Sequence, residues 1–260
     1  MISTPTISVV IATMNCADTL SHCLSSVAAQ TYENVELLIA DGGSVDGTCD
    51  IIETFSDRVY WYESSPDAGI YDAWNKAIQQ CSGDWICFLG ADDAFSSPDA
   101  LKLAIPSLFA AGQSGASLVY SRINEVSSTG QIVSRLGLPP EKVAWQLKHG
   151  MPRHMPHTGM LHSRRLFEAK RAFSTGFRIA GDYEFLVRSV EVDPEAFVFF
   201  DSVLIEKGTS GVSFRHQAEG IRECYRARVL NGMRGFTLPW FLIYSRAIFR
   251  GWYRRLVEVD

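Results

Sequence analysis

The apolar positions in the first third of the chain form short runs separated by longer stretches of mixed polarity. Such a run, bounded by turn residues, predicts a buried strand, and the stretch after it predicts a helix. The predicted strands are residues 7–11, 35–40, 59–62 and 85–89, with helices predicted at about 17–26, 48–55 and 70–80. Repeated strand–helix units of this kind build an open, mostly parallel twisted sheet flanked by helices, an α/β fold.

The pattern changes after Ala94. A helix is predicted near residues 99–109, a strand at 117–120 and a hairpin around 124–133. From about residue 215 the chain is rich in arginine and aromatic residues, and on a helix its apolar and basic positions fall on opposite faces. We therefore expect a domain over residues 1–214 and a helical tail over 215–260.

Charge is distributed unevenly between the two halves. The first 150 residues hold 7 Lys and Arg against 17 Asp and Glu, and the remainder holds 17 against 12. An acidic first half is a poor nucleic-acid surface, so we expect no nucleic-acid partner, whereas the basic second half suits phosphates or anionic lipid. The six cysteines form no CxxC pair, which favours reduced core thiols over a zinc site.

The first residues lack the basic and apolar regions of a signal peptide, and no apolar run approaches the roughly 20 residues of a membrane-spanning helix. We expect a cytoplasmic protein. The tail is either a helix packed on the domain or a contact with the cytoplasmic face of a membrane, and its basic aromatic composition favours the membrane contact.

Acidic side chains follow two of the predicted strands. Asp41 ends the second strand, and Asp92 and Asp93 come just after the fourth. In an open α/β sheet this edge binds ligands, and paired carboxylates suit a hard divalent cation beside phosphate oxygens. Each acid also has a structural reading, because aspartate is common in turns and helix caps.

Two further residues have chemistry that suits a site. Asp182 lies in the first turn of a predicted helix, where it either acts as a general base or stabilises the helix dipole. His216 either completes a metal shell or is an ordinary histidine.

Five ordered segments together resemble glycosyltransferase family 2. They are residues 8–13, 40–48, 66–76, 83–93 and 181–185. The resemblance implies a GT-A (Rossmann-like) fold and inverting sugar transfer from a nucleoside-diphosphate sugar, with a UDP-sugar favoured, to a glycan or lipid-linked acceptor hydroxyl in surface polysaccharide synthesis.

The resemblance also implies roles for particular residues. Asp182 would be the base, and Asp93 would bind Mn²⁺ or Mg²⁺ together with the candidate ligand His216. Donor contacts would come from Thr13, Asp41, Asp67, Asn75, Lys76 and Asp92. Gly42, Trp74 and Gly181 stand where relatives often have Asp, Arg and Glu. Without that arginine, charge neutralisation would shift to the metal and Lys76.

Two other classes of protein share this architecture. The turn at residues 12–17 contains no glycine, so the pyrophosphate cradle of a dinucleotide-dependent oxidoreductase is absent. A nucleotidyltransferase would release inorganic diphosphate instead of a nucleoside diphosphate. The remaining alternative is an inactive sugar-nucleotide or glycan-binding module with the same fold.

Overall fold

The computed structural model describes residues 4–127, 129–149, 155–170, 172–189, 197–209, 211, 216–233, 238, 241, 242 and 245. Within these residues the strands form one sheet in the order β3-β2-β1-β4-β8-β6-β9-β5, with β7 paired to β6. The strands are β1 Ile7–Thr13, β2 Val35–Asp41, β3 Val59–Ser64, β4 Trp85–Leu89, β5 Ala94–Phe95, β6 Leu118–Val126, β7 Ile132–Leu136, β8 Leu161–Ser163 and β9 Phe197–Gly208.

Helices cover both faces of the sheet. They are α1 Ala17–Ala28, α2 Thr48–Thr54, α3 Ile70–Ile78, α4 Ala100–Ser114, α5 Pro140–His149, α6 Arg164–Lys170, α7 Gly181–Ser189 and α8 Gln217–Leu230. Neighbouring residues of β1 face opposite sides, since Val10 belongs to one apolar cluster and Val9 and Ile11 to the other. Helices α1, α2 and α4 contribute to the cluster of Val9, and the remaining helices contribute to that of Val10.

Strands β1 to β4 are parallel, as the alternating pattern predicted. The carboxyl ends of these strands therefore meet at one edge. Later strands are mixed: β8 is antiparallel to β4 and β6, whereas β9 is parallel to β6 and antiparallel to β5. The α/β prediction is confirmed, and the hairpin predicted around 124–133 corresponds to the β6–β7 pair.

The sequence did not predict β8 or β9. Strand β9 has exposed polar residues, Asp201 and Ser202, in its middle, and its pairing with β6 is irregular near Arg122. Its apolar alternation is therefore weak. Its far end nevertheless decides the site geometry, because pairing with β5 brings Glu206 opposite Ala94, immediately after the acidic pair.

Helix α8 falls within the stretch that the sequence assigned to the tail. It packs on α7, because the fully buried Arg228 donates a hydrogen bond of 3.1 Å from Nη1 to the Tyr183 hydroxyl. The predicted amphipathic helix depends on residues such as Trp252 and Arg254, which lie outside the described residues. None of the helices in the described part of the chain is both long and apolar enough to cross a membrane.

Candidate active site

The carboxyl ends of β1, β2 and β3 meet around Asp41. Thr13 Oγ1 donates to Asp41 Oδ1 at 2.9 Å, and Ser64 Oγ donates to Oδ2 at 2.7 Å. Backbone N–H groups of Gly43 and Ser44 also donate to Oδ2, at 3.0 and 2.8 Å. Burial opposes ionisation of Asp41, but these hydrogen bonds, led by those from Ser44, outweigh it and lower the pKa to about 2. Asp41 is thus an ionised carboxylate that orders the loop after β2.

Asp67 reaches the same loop from the segment between β3 and α3. A Cβ atom at Gly42 would lie 3.0 Å from Asp67 Oδ2 and 3.2 Å from Met14 Sδ. Glycine at position 42 therefore leaves room for the Asp67 carboxylate. The structure brings Thr13, Asp41 and Asp67 together, while their contact with a donor stays a prediction.

Asp92 and Asp93 follow β4 at this edge and differ in accessibility. Asp93 is only 3% exposed, and its carboxylate accepts hydrogen bonds from Thr158 Oγ1 at 2.5 Å, Gly208 N at 3.0 Å and Gly90 N at 3.2 Å. Burial, and then the charge of Asp92, raises the pKa of Asp93 to about 6. Asp92 is the less buried residue of the pair, and the role of Asp93 as a metal ligand stays a prediction.

The metal shell of Asp93 and His216 stays a prediction. In the part of the chain that the structure describes, no three His, Cys, Asp or Glu side chains are grouped to hold a metal ion. His216 is the N-cap of α8, and its Nδ1 atom lies 3.7 Å from Glu219 Oε2. Two adjacent carboxylates still fit a divalent cation that takes its other ligands from phosphate and water, because the cation offsets their mutual repulsion.

Asn75 and Lys76 both have partners within the protein. The Asn75 amide makes two 2.9 Å hydrogen bonds with the backbone of Phe173, one through each polar atom. Lys76 Nζ lies 3.0 Å from Ser65 Oγ and 3.5 Å from Glu63 Oε1. The structure thus gives Asn75 a structural role, and donor contacts by Asn75 and Lys76 stay predictions.

Trp74 lies in the aromatic core. Its ring is stacked on that of His157 with a centroid separation of 5.1 Å, and it also contacts Phe88. An indole in this place supplies no positive charge.

Asp182 lies in the first turn of α7 and is partly exposed. Its Oδ1 atom accepts a hydrogen bond of 2.8 Å from the backbone N–H of Tyr183 and lies 3.3 Å from the Tyr71 hydroxyl oxygen. The surrounding protein desolvates the carboxylate and raises its pKa, and the opposing effects of these hydrogen bonds and of Lys207 are smaller. A raised pKa brings a carboxylate closer to the range of an effective general base.

Sequence reasoning missed several residues that link the acidic groups. Lys207 on β9 is a cation whose charge lowers the pKa of both Asp93 and Asp182. Thr158 and Gly208 fix Asp93 by the hydrogen bonds described above. No local pattern identified them, because they join β4 only through the unpredicted strand β9 and the segment before β8.

Comparison with known proteins identifies the family of the chain. The model of the family "Glycosyl transferase family 2" matches residues 8–169. The chain is 30% identical over 188 residues to a "PGL/p-HBAD biosynthesis glycosyltransferase" of Mycobacterium bovis, which covers 71% of this chain and 69% of the relative. It is 38% identical over 88 residues, 34% of this chain and 35% of the relative, to the Escherichia coli UDP-Glc:alpha-D-GlcNAc-diphosphoundecaprenol beta-1,3-glucosyltransferase WfaP.

Solved structures show the same fold. Glucosyl-3-phosphoglycerate synthase from Mycobacterium tuberculosis, in complex with Mn²⁺, UDP and glucosyl-3-phosphoglycerate, has a TM-score of 0.60 at 19% identity, covering 88% of this chain and 81% of that one. Staphylococcus aureus TarS has a TM-score of 0.63 at 17% identity, covering 86% of this chain, which spans only 40% of TarS.

The mixed α/β sheet flanked by helices matches solved glycosyltransferases, so the fold is of the GT-A class. The chain belongs to glycosyl transferase family 2. It is an enzyme that transfers a sugar from a nucleotide sugar, and the resemblance seen in the sequence is confirmed.

Proposed function

We propose that the enzyme inverts the anomeric centre of its donor, with Asp182 as the base. The proposal is supported by Lys207, whose charge lowers the pKa of both Asp93 and Asp182 and whose neighbour Gly208 donates a hydrogen bond to Asp93. The strand-end acids and the helix carboxylate would then border one site. Asp182 would take the proton of the acceptor hydroxyl while the oxygen of that hydroxyl attacks the anomeric carbon. The bond from the anomeric carbon to the diphosphate oxygen would break at the same time.

We propose that the acidic pair of Asp92 and Asp93 binds the metal. The hydrogen bonds from Thr158 and Gly208 hold Asp93 in place beside the half-buried Asp92. Mn²⁺ or Mg²⁺ bound there would neutralise the charge of the leaving diphosphate. Lys207 is better placed than Lys76 to add positive charge, because Lys76 already contacts Glu63.

We propose that the donor is a UDP-sugar. The acceptor that we propose is a hydroxyl of a glycan or of a lipid-linked glycan, in surface polysaccharide synthesis. The UDP complex of the M. tuberculosis synthase and the diphosphoundecaprenol acceptor named for WfaP support these choices.

We also propose that the protein is cytoplasmic and that its tail contacts the membrane surface. Leu238 is 72% exposed, and Phe241 and Leu242 are 47% and 48% exposed.

Thermal-shift and sugar-release measurements with UDP-glucose, UDP-N-acetylglucosamine and GDP-mannose, with and without Mn²⁺, test the site. One donor is expected to raise the melting temperature in a Mn²⁺-dependent manner in the wild type and in Asp182→Asn. The shift should be lost in Asp92→Asn and kept in Asp57→Asn, an exposed control. Sugar release should fall by about 10²-fold or more in Asp182→Asn, the size expected for loss of a general base.

The same experiment separates the enzyme from an inactive binding module. A module would bind the donor, release no sugar and show no difference between the wild type and Asp182→Asn. If no donor changes the melting temperature with any metal, the proposed donor site is wrong.

A further inference from the structure

The ring of Tyr71 lies against the backbone at the start of α7. Tyr71 is only 4% exposed, and a Cβ atom at Gly181 would lie 2.7 to 2.9 Å from three of its ring atoms. Real Cβ atoms do not approach a ring so closely, and neither the buried ring nor the helix backbone can move away freely. Glycine at position 181 therefore makes the space that the Tyr71 ring fills.

The hydroxyl at the end of this ring reaches two acceptors. Tyr71 Oη lies 2.6 Å from the carbonyl oxygen of Ile179 and 3.3 Å from Asp182 Oδ1. A phenol has one proton to donate and lone pairs with which to accept. The phenol itself stays protonated, because burial, reinforced by the charge of Asp182, raises its pKa well above the ordinary value.

The carbonyl group of Ile179 belongs to a backbone segment that Glu223 holds in place. The Glu223 carboxylate of α8 accepts hydrogen bonds of 2.8 to 2.9 Å from the backbone N–H groups of Arg178, Ile179 and Ala180. The segment before α7 is thus fixed independently of Tyr71. The hydroxyl therefore lies between a permanent acceptor and a carboxyl group that changes its protonation state.

We propose that Tyr71 is a positioning residue for Asp182 and that Gly181 leaves the space for its ring. The Tyr71 hydroxyl shares its proton between the Ile179 carbonyl and the ionised carboxylate, and it accepts a hydrogen bond from the protonated carboxyl group. The proposal rests on the proposed role of Asp182 as the base. When Asp182 has taken the proton of the acceptor, it donates to Tyr71 Oη, and the phenol proton turns to the Ile179 carbonyl. The carboxyl group keeps a hydrogen bond and its orientation in both states.

Other groups around Asp182 belong to three elements. Lys207 faces it from β9 and the Cys224 thiol from α8, and the Tyr183 N–H comes from α7 itself. Of these, Lys207 and Tyr183 favour the ionised form, as the Tyr71 hydroxyl does. Hydrogen bonds to a charged group are stronger than those to a neutral one. Removal of the Tyr71 hydroxyl should therefore move the titration of Asp182 to higher pH.

Carbon-13 NMR of the full chain labelled at aspartate Cγ tests the proposal without a donor or an acceptor, with the Asp182 signal assigned from Asp182→Asn. In Tyr71→Phe, which keeps the ring over Gly181, the midpoint of the Asp182 titration should move to higher pH. Tyr60→Phe, an exposed tyrosine, is the control and should leave it unchanged. An unaltered midpoint in Tyr71→Phe overturns the proposal.

Kinetics separate this proposal from the proposed function. The acid limb of the pH profile of kcat/KM should move to higher pH in Tyr71→Phe, with kcat lower by about tenfold, the value of one charge-assisted hydrogen bond. If Asp182→Asn transfers sugar at the wild-type rate, the base assignment fails whatever the NMR midpoint does. If Asp182→Asn is inactive and Tyr71→Phe has the wild-type profile, only the positioning role fails.

Discussion

At the scale of single residues, two aspartates at strand ends on the same edge of the sheet have pKa values shifted in opposite directions. Asp41 accepts hydrogen bonds from hydroxyls and backbone N–H groups, and its pKa falls to about 2. Asp93 is buried beside another carboxylate, and its pKa rises to about 6. Stability from Asp41 is present above its unfolded pKa and is lost as the pH falls through about 2. The contribution of Asp93 has the opposite sign, since it is present at low pH and is lost as the pH rises through about 6.

We expect Asp41→Asn to lower the free energy of unfolding by about 2 kcal/mol at pH 7. The hydrogen bonds around Asp41 stabilise an ionised carboxylate, and a neutral amide cannot gain this stabilisation. The difference from the wild type should shrink as the pH falls from about 4 to 2. Urea denaturation across this pH range measures it. Asp57→Asn removes an exposed charge and should change little, whereas equal losses in both variants would contradict the assigned network.

At the scale of elements, α8 holds the amino-terminal end of α7. The Glu223 carboxylate accepts the three backbone N–H groups at residues 178–180. A carboxylate at this position accepts hydrogen bonds from N–H groups that have no partner within the helix. Its negative charge is also stabilised by the positive end of the helix dipole. The predicted base, one residue after the start of α7, is thus oriented by a helix that the sequence assigned to the tail.

Glu223→Gln should keep the shape of the side chain while replacing a charged acceptor by a neutral one that can bond fewer of these N–H groups. We expect a loss of about 1 to 3 kcal/mol in unfolding free energy and a lower rate of sugar release. Glu53→Gln, an exposed glutamate on α2, is the control. A stability equal to that of the wild type would show that α8 does not hold the segment before α7.

At the scale of the whole molecule, the acidic first half supplies the strand-end carboxylates of the proposed donor site, and the basic second half contributes Lys207 and leads into the tail. The exposed apolar residues after α8 lie in this basic part of the chain. An apolar surface combined with arginine suits the boundary of an anionic membrane.

Truncation at residue 236 tests the membrane contact. The full chain should sediment with phosphatidylglycerol vesicles and less with phosphatidylcholine vesicles, and the truncated chain with neither. The full-length variant Leu238→Ser, Phe241→Ser, Leu242→Ser should also lose binding while keeping donor-induced stabilisation. Equal sedimentation of all three proteins would end this proposal.

The sequence predicted the four parallel strands and the acids at their ends because both signals are local. A buried strand needs a short apolar run, and a strand end needs turn residues, so Ile7 to Leu89 could be interpreted without tertiary information. Strand β9 gave no such signal, since its exposed residues interrupt the apolar pattern. The sequence also indicated Asp182, through its place in a helix start and in a family motif.

Only the tertiary structure decided what each acid can do. The orientation of Asp93 depends on a hydrogen bond from Thr158, which is 65 positions away in sequence. The need for glycine at position 181 comes from the Tyr71 ring that packs against it. The Tyr71 hydroxyl also contacts Asp182, which is 111 positions away in sequence. Burial and hydrogen bonding set the pKa and orientation of a side chain, and they come from neighbours that chain folding brings together. Local periodicity carries no information about such neighbours.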